Sequence, residues 1–189
     1  MSRAIQTAAN AAHRFSGCKD TPLTPLGLEQ AARVGAILRG AVGPRPALSF
    51  VSSPLARARR TMEIARAELD LAPDGFAVDP RLEEIDLGDW DQLTDAEARA
   101  LDPATFDRRM ADKWDVRVPG GENYAQVAAR VTDWFRGLKA DTFAVSHGAT
   151  TRILRGLLAG LDAAGMSGLD EPQGVVFRVR GGEVVRLDP

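Results

Sequence analysis

Phe143-Ala-Val-Ser-His-Gly-Ala-Thr-Thr-Arg152 is the stretch on which the reading of the fold turns. An apolar run of Phe143, Ala144 and Val145 stops at Ser146-His147-Gly148, and Ile153, Leu154, Leu157, Leu158 and Leu161 then recur at helical spacing. This predicts a short buried strand, a polar corner and a helix. Ligands of open α/β sheets bind at the carboxyl ends of the strands, so the corner offers His147 to a site. The amides of Gly148 and Ala149 would open the helix, where unpaired N–H groups and the helix dipole favour an anion such as phosphate. Read alone, the stretch serves equally well for a histidine that only caps or packs.

The same pattern recurs upstream. Ala47-Leu-Ser-Phe-Val51 is a short apolar run suited to a buried strand, and Ser52-Ser53-Pro54 is its polar corner, with Ser53 expected as helix cap and Pro54 as the first helical residue. Arg57 falls in the first turn, where a cation opposes the helix dipole. It either reaches out to solvent or faces an anion at the sheet edge. Thr24-Pro25 opens another helix, expected to end near Gly40. Before it, Met1 to Ile5 begins like a strand and dissolves into a polar loop, so no proper first strand is visible.

Residues 76–80 read as a weak strand, followed by an acidic stretch in which Glu83, Glu84 and Asp86, taken singly, look like plain surface charges. Residues 94–113 predict amphipathic helices divided by Pro103, and Tyr124, Val127, Val131, Trp134 and Phe135 mark a further helix. A Gly- and Asp-rich loop over 161–171 leads to two strands around Gly181-Gly182, a terminal hairpin. Strands alternating with helices predict a three-layer α/β/α sandwich with a mostly parallel central sheet and an antiparallel edge.

At 189 residues the chain is expected to form a single domain, 1–189. With 24 basic against 26 acidic residues there is no general surface for nucleic acid, so attraction for an anion must be local. One cysteine, Cys18, excludes an intrachain disulfide and any thiolate cluster for a metal. No apolar run approaches the ~20 residues of a membrane span, and the expected location is the cytoplasm.

Five motifs stand in order along the chain: Phe15-Ser-Gly-x-x-Asp-x-Pro-Leu-Thr-Pro-x-Gly27, Ser53-Pro-Leu-x-Arg57-Ala, Leu82-x-Glu84-x-x-x-Gly88, Pro119-Gly-Gly-Glu122 and Val145-Ser-His147-Gly148. Together they resemble the histidine phosphatase superfamily, the phosphoglycerate mutase-like proteins, over residues 10–160. The resemblance implies a two-step phosphoryl transfer: a histidine attacks phosphorus, and water then cleaves the phosphohistidine. By position His147 matches the second, phosphate-binding histidine, Arg57 the phosphate-binding arginine and Glu84 the acid and base. Asn10 matches an asparagine that helps bind phosphate, and Gly148 contributes its amide. The family's chemistry implies no metal or other cofactor. The expected ligand is a small phosphorylated metabolite or inorganic phosphate, and the chain is expected to be a monomer or homodimer.

The departure from the pattern lies at the first strand, which in the family ends in Arg-His-Gly and supplies the nucleophile. Aligned without a gap, those places hold Arg3-Ala4-Ile5; alternatively Met1 to Ile5 starts the strand and its end has been deleted. The junction of Ile5 with Gln6-Thr7 favours the deletion. Neither alignment supplies a histidine, and His13 lies downstream in the loop. The chain is thus expected to be an inactive, phosphate-binding relative, the alternative being an active phosphomonoesterase whose N-terminus is incomplete or altered. The segment 89–118 would form a modest lid, with Arg108, Arg109, Trp114 and Arg117 the residues best placed to touch a leaving group.

Overall fold

The structure, a computed structural model, describes residues 1–3 and 5–188. In chain order the elements are β1 (Ser2–Arg3), α1 (Ala8–Ala11), α2 (Pro25–Val42), β2 (Ser49–Ser52), α3 (Ala56–Ala67), β3 (Ala77–Val78), α4 (Asp95–Leu101), α5 (Pro103–Ala111), α6 (Tyr124–Arg136), β4 (Thr142–Ser146), α7 (Gly148–Leu158), α8 (Ala163–Gly168), β5 (Val176–Arg180) and β6 (Glu183–Leu187). The strands form one sheet in the order β3-β2-β4-β1-β5-β6. The first four are parallel, and β5 and β6 add an antiparallel edge.

The pleat of β4 divides the core. Side chains alternate across a strand, and Phe143 and Val145 join Val34, Ile37 and Met62 of α2 and α3. Ala144 faces the other way, against Val127, Val131, Ile153 and Leu154 of α6 and α7. With both faces covered, the middle of the strand, Phe143 to Val145, is an unbroken apolar run rather than an alternating one. A third cluster, Trp90, Ala98, Phe106 and Val118, roots the segment carrying α4 and α5.

The boundaries shift where side chains have other work. Helix α3 starts at Ala56 after Leu55, not at Pro54, and Ser53 does not cap it. Ser53 remains part of the sheet edge, its amide donating to the Val145 carbonyl at 3.0 Å. Helix α2 runs past Gly40, where nothing crowds the backbone, and stops at Gly43 with φ 77°. Two segments read as loop contain short helices, α1 on a reciprocal Thr7–Asn10 cap and α8 on Asp162.

The first strand exists, and its register corrects the deletion. Ser2 pairs with Val145 and Arg3 with Ser146, at the carboxyl end of β4. A strand start followed by a deletion would lie beside Thr142 or Phe143 instead. This favours the gap-free alignment: Arg3 stands one step before the level of His147, and the next two places of the sequence hold Ala4, which lies outside the described residues, and Ile5.

What comes after β1 is stapled to the start of α2. The Gln6 amide donates to Gln30 Oε1 at 2.9 Å, Thr24 Oγ1 donates to Gln6 Oε1 at 2.8 Å, and the Ala8 amide donates to the Pro22 carbonyl at 3.1 Å. Gly27 permits this approach, because a Cβ there would lie 2.2 Å from the Gln6 carbonyl oxygen.

Candidate active site

Corners after the parallel strands bring the predicted residues to one cavity of about 280 Å³, lined among others by Ile5, Asn10, Arg57, Glu84, His147 and Gly148. His147 is 2% exposed at the start of α7, and its Nε2 lies 2.7 Å from Ser53 Oγ. The donor depends on the tautomer. Ser53 Oγ also accepts from the Leu55 amide at 3.3 Å, so the serine ties the corner after β2 to the corner after β4.

Arg57 does not reach out to solvent. It is buried, donating from Nη2 to the Gly17 carbonyl at 2.6 Å and from Nη1 to the Lys19 carbonyl at 3.1 Å, with Asp20 at 3.6 Å. Burial lowers its pKa from the ordinary guanidinium value, and Glu84, Asp20 and Asp91 oppose that shift. The 17–19 loop that receives Arg57 is itself held by Asp91, which accepts from the Gly17 and Lys19 amides at 2.8 Å each.

The helix N-terminus expected to receive phosphate already holds a carboxyl group. Glu84 accepts from the Ala149 amide at 3.3 Å, the Thr150 amide at 3.2 Å and Thr150 Oγ1 at 3.3 Å. Its position is fixed from behind by Arg130, which donates to the carbonyls of Arg81, Glu83 and Glu84 and pairs with Glu122 at 3.0 Å. Glu122 in turn accepts from the Asp86 amide at 3.0 Å. The Pro-Gly-Gly-Glu motif thus serves the segment that carries Glu84. Asn10 gives its carboxamide oxygen to Thr7, at 3.3 Å from the amide and 3.0 Å from the hydroxyl, and so turns its NH₂ to other partners.

His13 stands apart, exposed with φ 52° beside a separate shallow depression. Of the four lid residues, Arg109 alone lines the cavity. Arg108 bonds Thr105, Arg117 donates to the Gly121 carbonyl and Trp114 packs against the α6–α7 core. Sequence reasoning missed Ser53 as the partner of His147, and also Lys113, Tyr124, Arg152 and Glu171 in the cavity lining. Nothing in the spacing flags them, since each comes from a different element.

A buried histidine, a buried arginine and a carboxyl group are gathered at the carboxyl ends of parallel strands, where ligands of open α/β proteins bind. The sequence pattern of the histidine phosphatase superfamily (branch 1) matches residues 1–183, and the chain belongs to that superfamily. It is 35% identical to a glucosyl-3-phosphoglycerate phosphatase of Mycolicibacterium vanbaalenii, over 85% of this chain and 73% of that one. It is 31% identical to a 2,3-bisphosphoglycerate-dependent phosphoglycerate mutase of Azorhizobium caulinodans, over 85% and 81%. The structure of an α-ribazole phosphatase from Shigella flexneri shares the fold with a TM-score of 0.84 at 22% identity, covering 100% of this chain and 94% of that one. A mycobacterial glucosyl-3-phosphoglycerate phosphatase in complex with VO₃ superposes at 0.73 with 31% identity, covering 89% and 84%. No helix among the described residues is long and apolar enough to cross a membrane.

Proposed function

We propose that the chain binds a small phosphorylated metabolite, or inorganic phosphate, in the cavity beside Arg57 and His147 and does not hydrolyse it through a phosphohistidine. The observation that carries this reading is the end of β1. Arg3 stands opposite Ser146, and Ala4 and Ile5 follow where the superfamily has its histidine and glycine. The chain has two histidines; His147 is committed to Ser53 and His13 is outside the cavity. Arg57, His147 and the Asn10 amide remain as donors for phosphate oxygens, and charge-assisted contacts of this kind bind phosphate without any covalent step. The phosphatases and mutases among the relatives support a phosphorylated ligand, and the small cavity supports a small one.

Two measurements test the reading. Incubation with a chromogenic phosphomonoester followed by acid quench is expected to give no phosphoenzyme and a rate near background. Inorganic phosphate is expected to raise the melting temperature by linkage, and Arg57→Ala to abolish that rise. Phosphoenzyme in the unaltered chain would overturn the loss of turnover; an unchanged phosphate response in Arg57→Ala would place the anion elsewhere.

A further inference from the structure

Among the described residues Lys113 is the amine that lines the cavity, and its setting favours the neutral form over the ammonium. It stands two residues beyond α5, half-buried, its carbonyl accepting from the Tyr124 amide at 3.0 Å. Arg109 of α5 and Arg152 of α7 line the same cavity. Glu171 also lines it, but its carboxylate is paired with Arg152 at 3.0 Å. The Nε and Nη1 of Arg109 are buried without a hydrogen-bond partner among the described residues. The Nζ of Lys113 makes no hydrogen bond or ion pair among those residues either.

An amine taken out of water and set beside guanidinium groups gives up its proton more readily, because burial and like charge both disfavour the ammonium. Burial, the larger cause, lowers the pKa of Lys113, and Arg152 and Arg109 lower it further. Glu171 and Asp95, the carboxylates that face it, oppose the shift. A lysine desolvated in a pocket or placed next to another cation is the form in which this side chain attacks a carbonyl carbon.

We infer that Lys113 is a nucleophilic amine that holds a small phosphorylated aldehyde or ketone as an imine. The phosphate of that ligand rests on the reading of Arg57 and His147 given above; the amine chemistry does not. The lone pair of Nζ adds to the carbonyl carbon and gives a carbinolamine. The former carbonyl oxygen then leaves as water with the two protons of the amine, and a C=N bond replaces C=O. Neither an oxidant nor a reductant enters, and water reverses the step. The Tyr124 hydroxyl lines the same cavity and, since burial raises its pKa, keeps a proton to give to the departing oxygen and to recover from nitrogen. A reversible imine suits a chain that retains its ligand without hydrolysing it.

Reductive trapping with cyanoborohydride tests this on the unaltered chain, Lys113→Arg and Arg57→Gln, with glyceraldehyde 3-phosphate, glyceraldehyde and glycerol 3-phosphate as probes. The chain has three lysines, and Lys19 and Lys139 are exposed, so peptide mapping by mass spectrometry compares the cavity amine with two surface amines. At pH 7 glyceraldehyde 3-phosphate is expected to label Lys113 at least about tenfold faster than either of them, each unit of pKa being tenfold in free amine. Inorganic phosphate and Arg57→Gln should both slow that labelling, and glyceraldehyde should label Lys113 more slowly. Glycerol 3-phosphate, which has no carbonyl, should leave no adduct. Lys113→Arg, checked for folding by its melting curve, should lose the selective adduct while keeping the charge. Selective labelling of Lys113 that ignores inorganic phosphate and persists in Arg57→Gln upholds the imine and overturns the phosphate reading. Equal labelling of the three lysines, or none at Lys113, overturns the inference, and a phosphate-induced rise in melting temperature that needs Arg57 then leaves the phosphate reading standing.

Discussion

His147 Nε2 and Ser53 Oγ lie 2.7 Å apart in a site that excludes water from both side chains, and this contact is the bridge between the corners after β2 and β4. Ser53 is 0% exposed and His147 2%. A buried polar atom that loses its partner costs about 1–3 kcal/mol. Ser53→Ala is therefore expected to lower stability by that amount in urea unfolding and to weaken phosphate binding by loosening the imidazole. Ser53→Thr, which keeps the hydroxyl, should retain most of both. A variant Ser53→Ala of unchanged stability and affinity would mean that the contact carries no weight.

Glu84 depends on residues that never touch the cavity. Arg130 holds three carbonyls of the 81–84 segment while paired with Glu122, and a hydrogen bond to a charged group contributes a net of about 1.5–3 kcal/mol. Arg130→Met is expected to cost about 3 kcal/mol, since it removes a donor from three carbonyls at once, although Glu83 keeps Thr150 Oγ1 and Glu84 keeps Cys18 Sγ. Freed of its support, Glu84 should release the α7 amides, and hydrogen exchange at Ala149 and Thr150 should quicken. Exchange that stays as slow as in the unaltered chain would show Glu84 to be held by the helix alone.

These supports explain what the sequence could and could not disclose. The core of β4 and α7 was legible because burial on both faces imposes an unbroken apolar run, then a helical period, within one continuous stretch. Arg57, Glu84 and His147 were legible because motif spacing fixes where each strand ends. Ser53 was misread as a cap because its hydroxyl answers a residue 94 positions away, an influence that local capping rules omit. The short β1 was missed because two residues carry no period, and its pairing with Val145 and Ser146 is a fact of register. Arg109 stood among four candidate lid residues, and the direction of a helical face decided between them.

Gly27 should be intolerant of even one methyl group. Alanine there would bring Cβ to 2.2 Å from the Gln6 carbonyl oxygen, a backbone atom with little freedom to yield. Overpacking of this kind costs about 1–3 kcal/mol or more. Because Ile5 lines the cavity one residue away, Gly27→Ala is also expected to weaken phosphate binding. Gly40→Ala, at a helical position with nothing nearby, is the matched control and should leave stability unchanged or raise it by about 0.5–1 kcal/mol.

Cys18 is expected to be a slow thiol. Burial first, then Asp86, Glu83 and Glu122, push its pKa up to about 12, with Arg130 opposing. Only the thiolate reacts, so at pH 8 its thiolate fraction is on the order of a thousandfold below that of an ordinary cysteine. The neutral form is the one the fold favours, so reactivity should rise with pH through the whole range from 8 to 11 rather than level off near 9. Iodoacetamide labelling followed by mass spectrometry reads this directly. A plateau near pH 9 would show that the thiol is not held by its surroundings.

Turnover should be restorable at the place where the pattern was lost. A nucleophile divides one difficult displacement into two easier ones, and the roles proposed for Arg57, His147 and Glu84, binding oxygens or supplying a proton, do not form the covalent intermediate. His147 cannot stand in, because its Nε2 is engaged with Ser53 and displacement at phosphorus needs an attacker in line with the leaving group. Since Arg3 pairs with Ser146, two substitutions rebuild the motif in the gap-free alignment without any insertion: Ala4→His and Ile5→Gly. Ile5 is 1% exposed and lines the cavity, so its removal makes room beside the new imidazole at a cost in stability, which a melting curve will register. The double variant is expected to form an acid-labile phosphoenzyme and to hydrolyse a chromogenic phosphomonoester at least about a hundredfold faster than the unaltered chain, a barrier change of about 2.7 kcal/mol. Arg57→Ala in that background should remove the gain. Equal rates in the unaltered chain and the double variant, both abolished by His147→Ala, would instead make His147 the nucleophile.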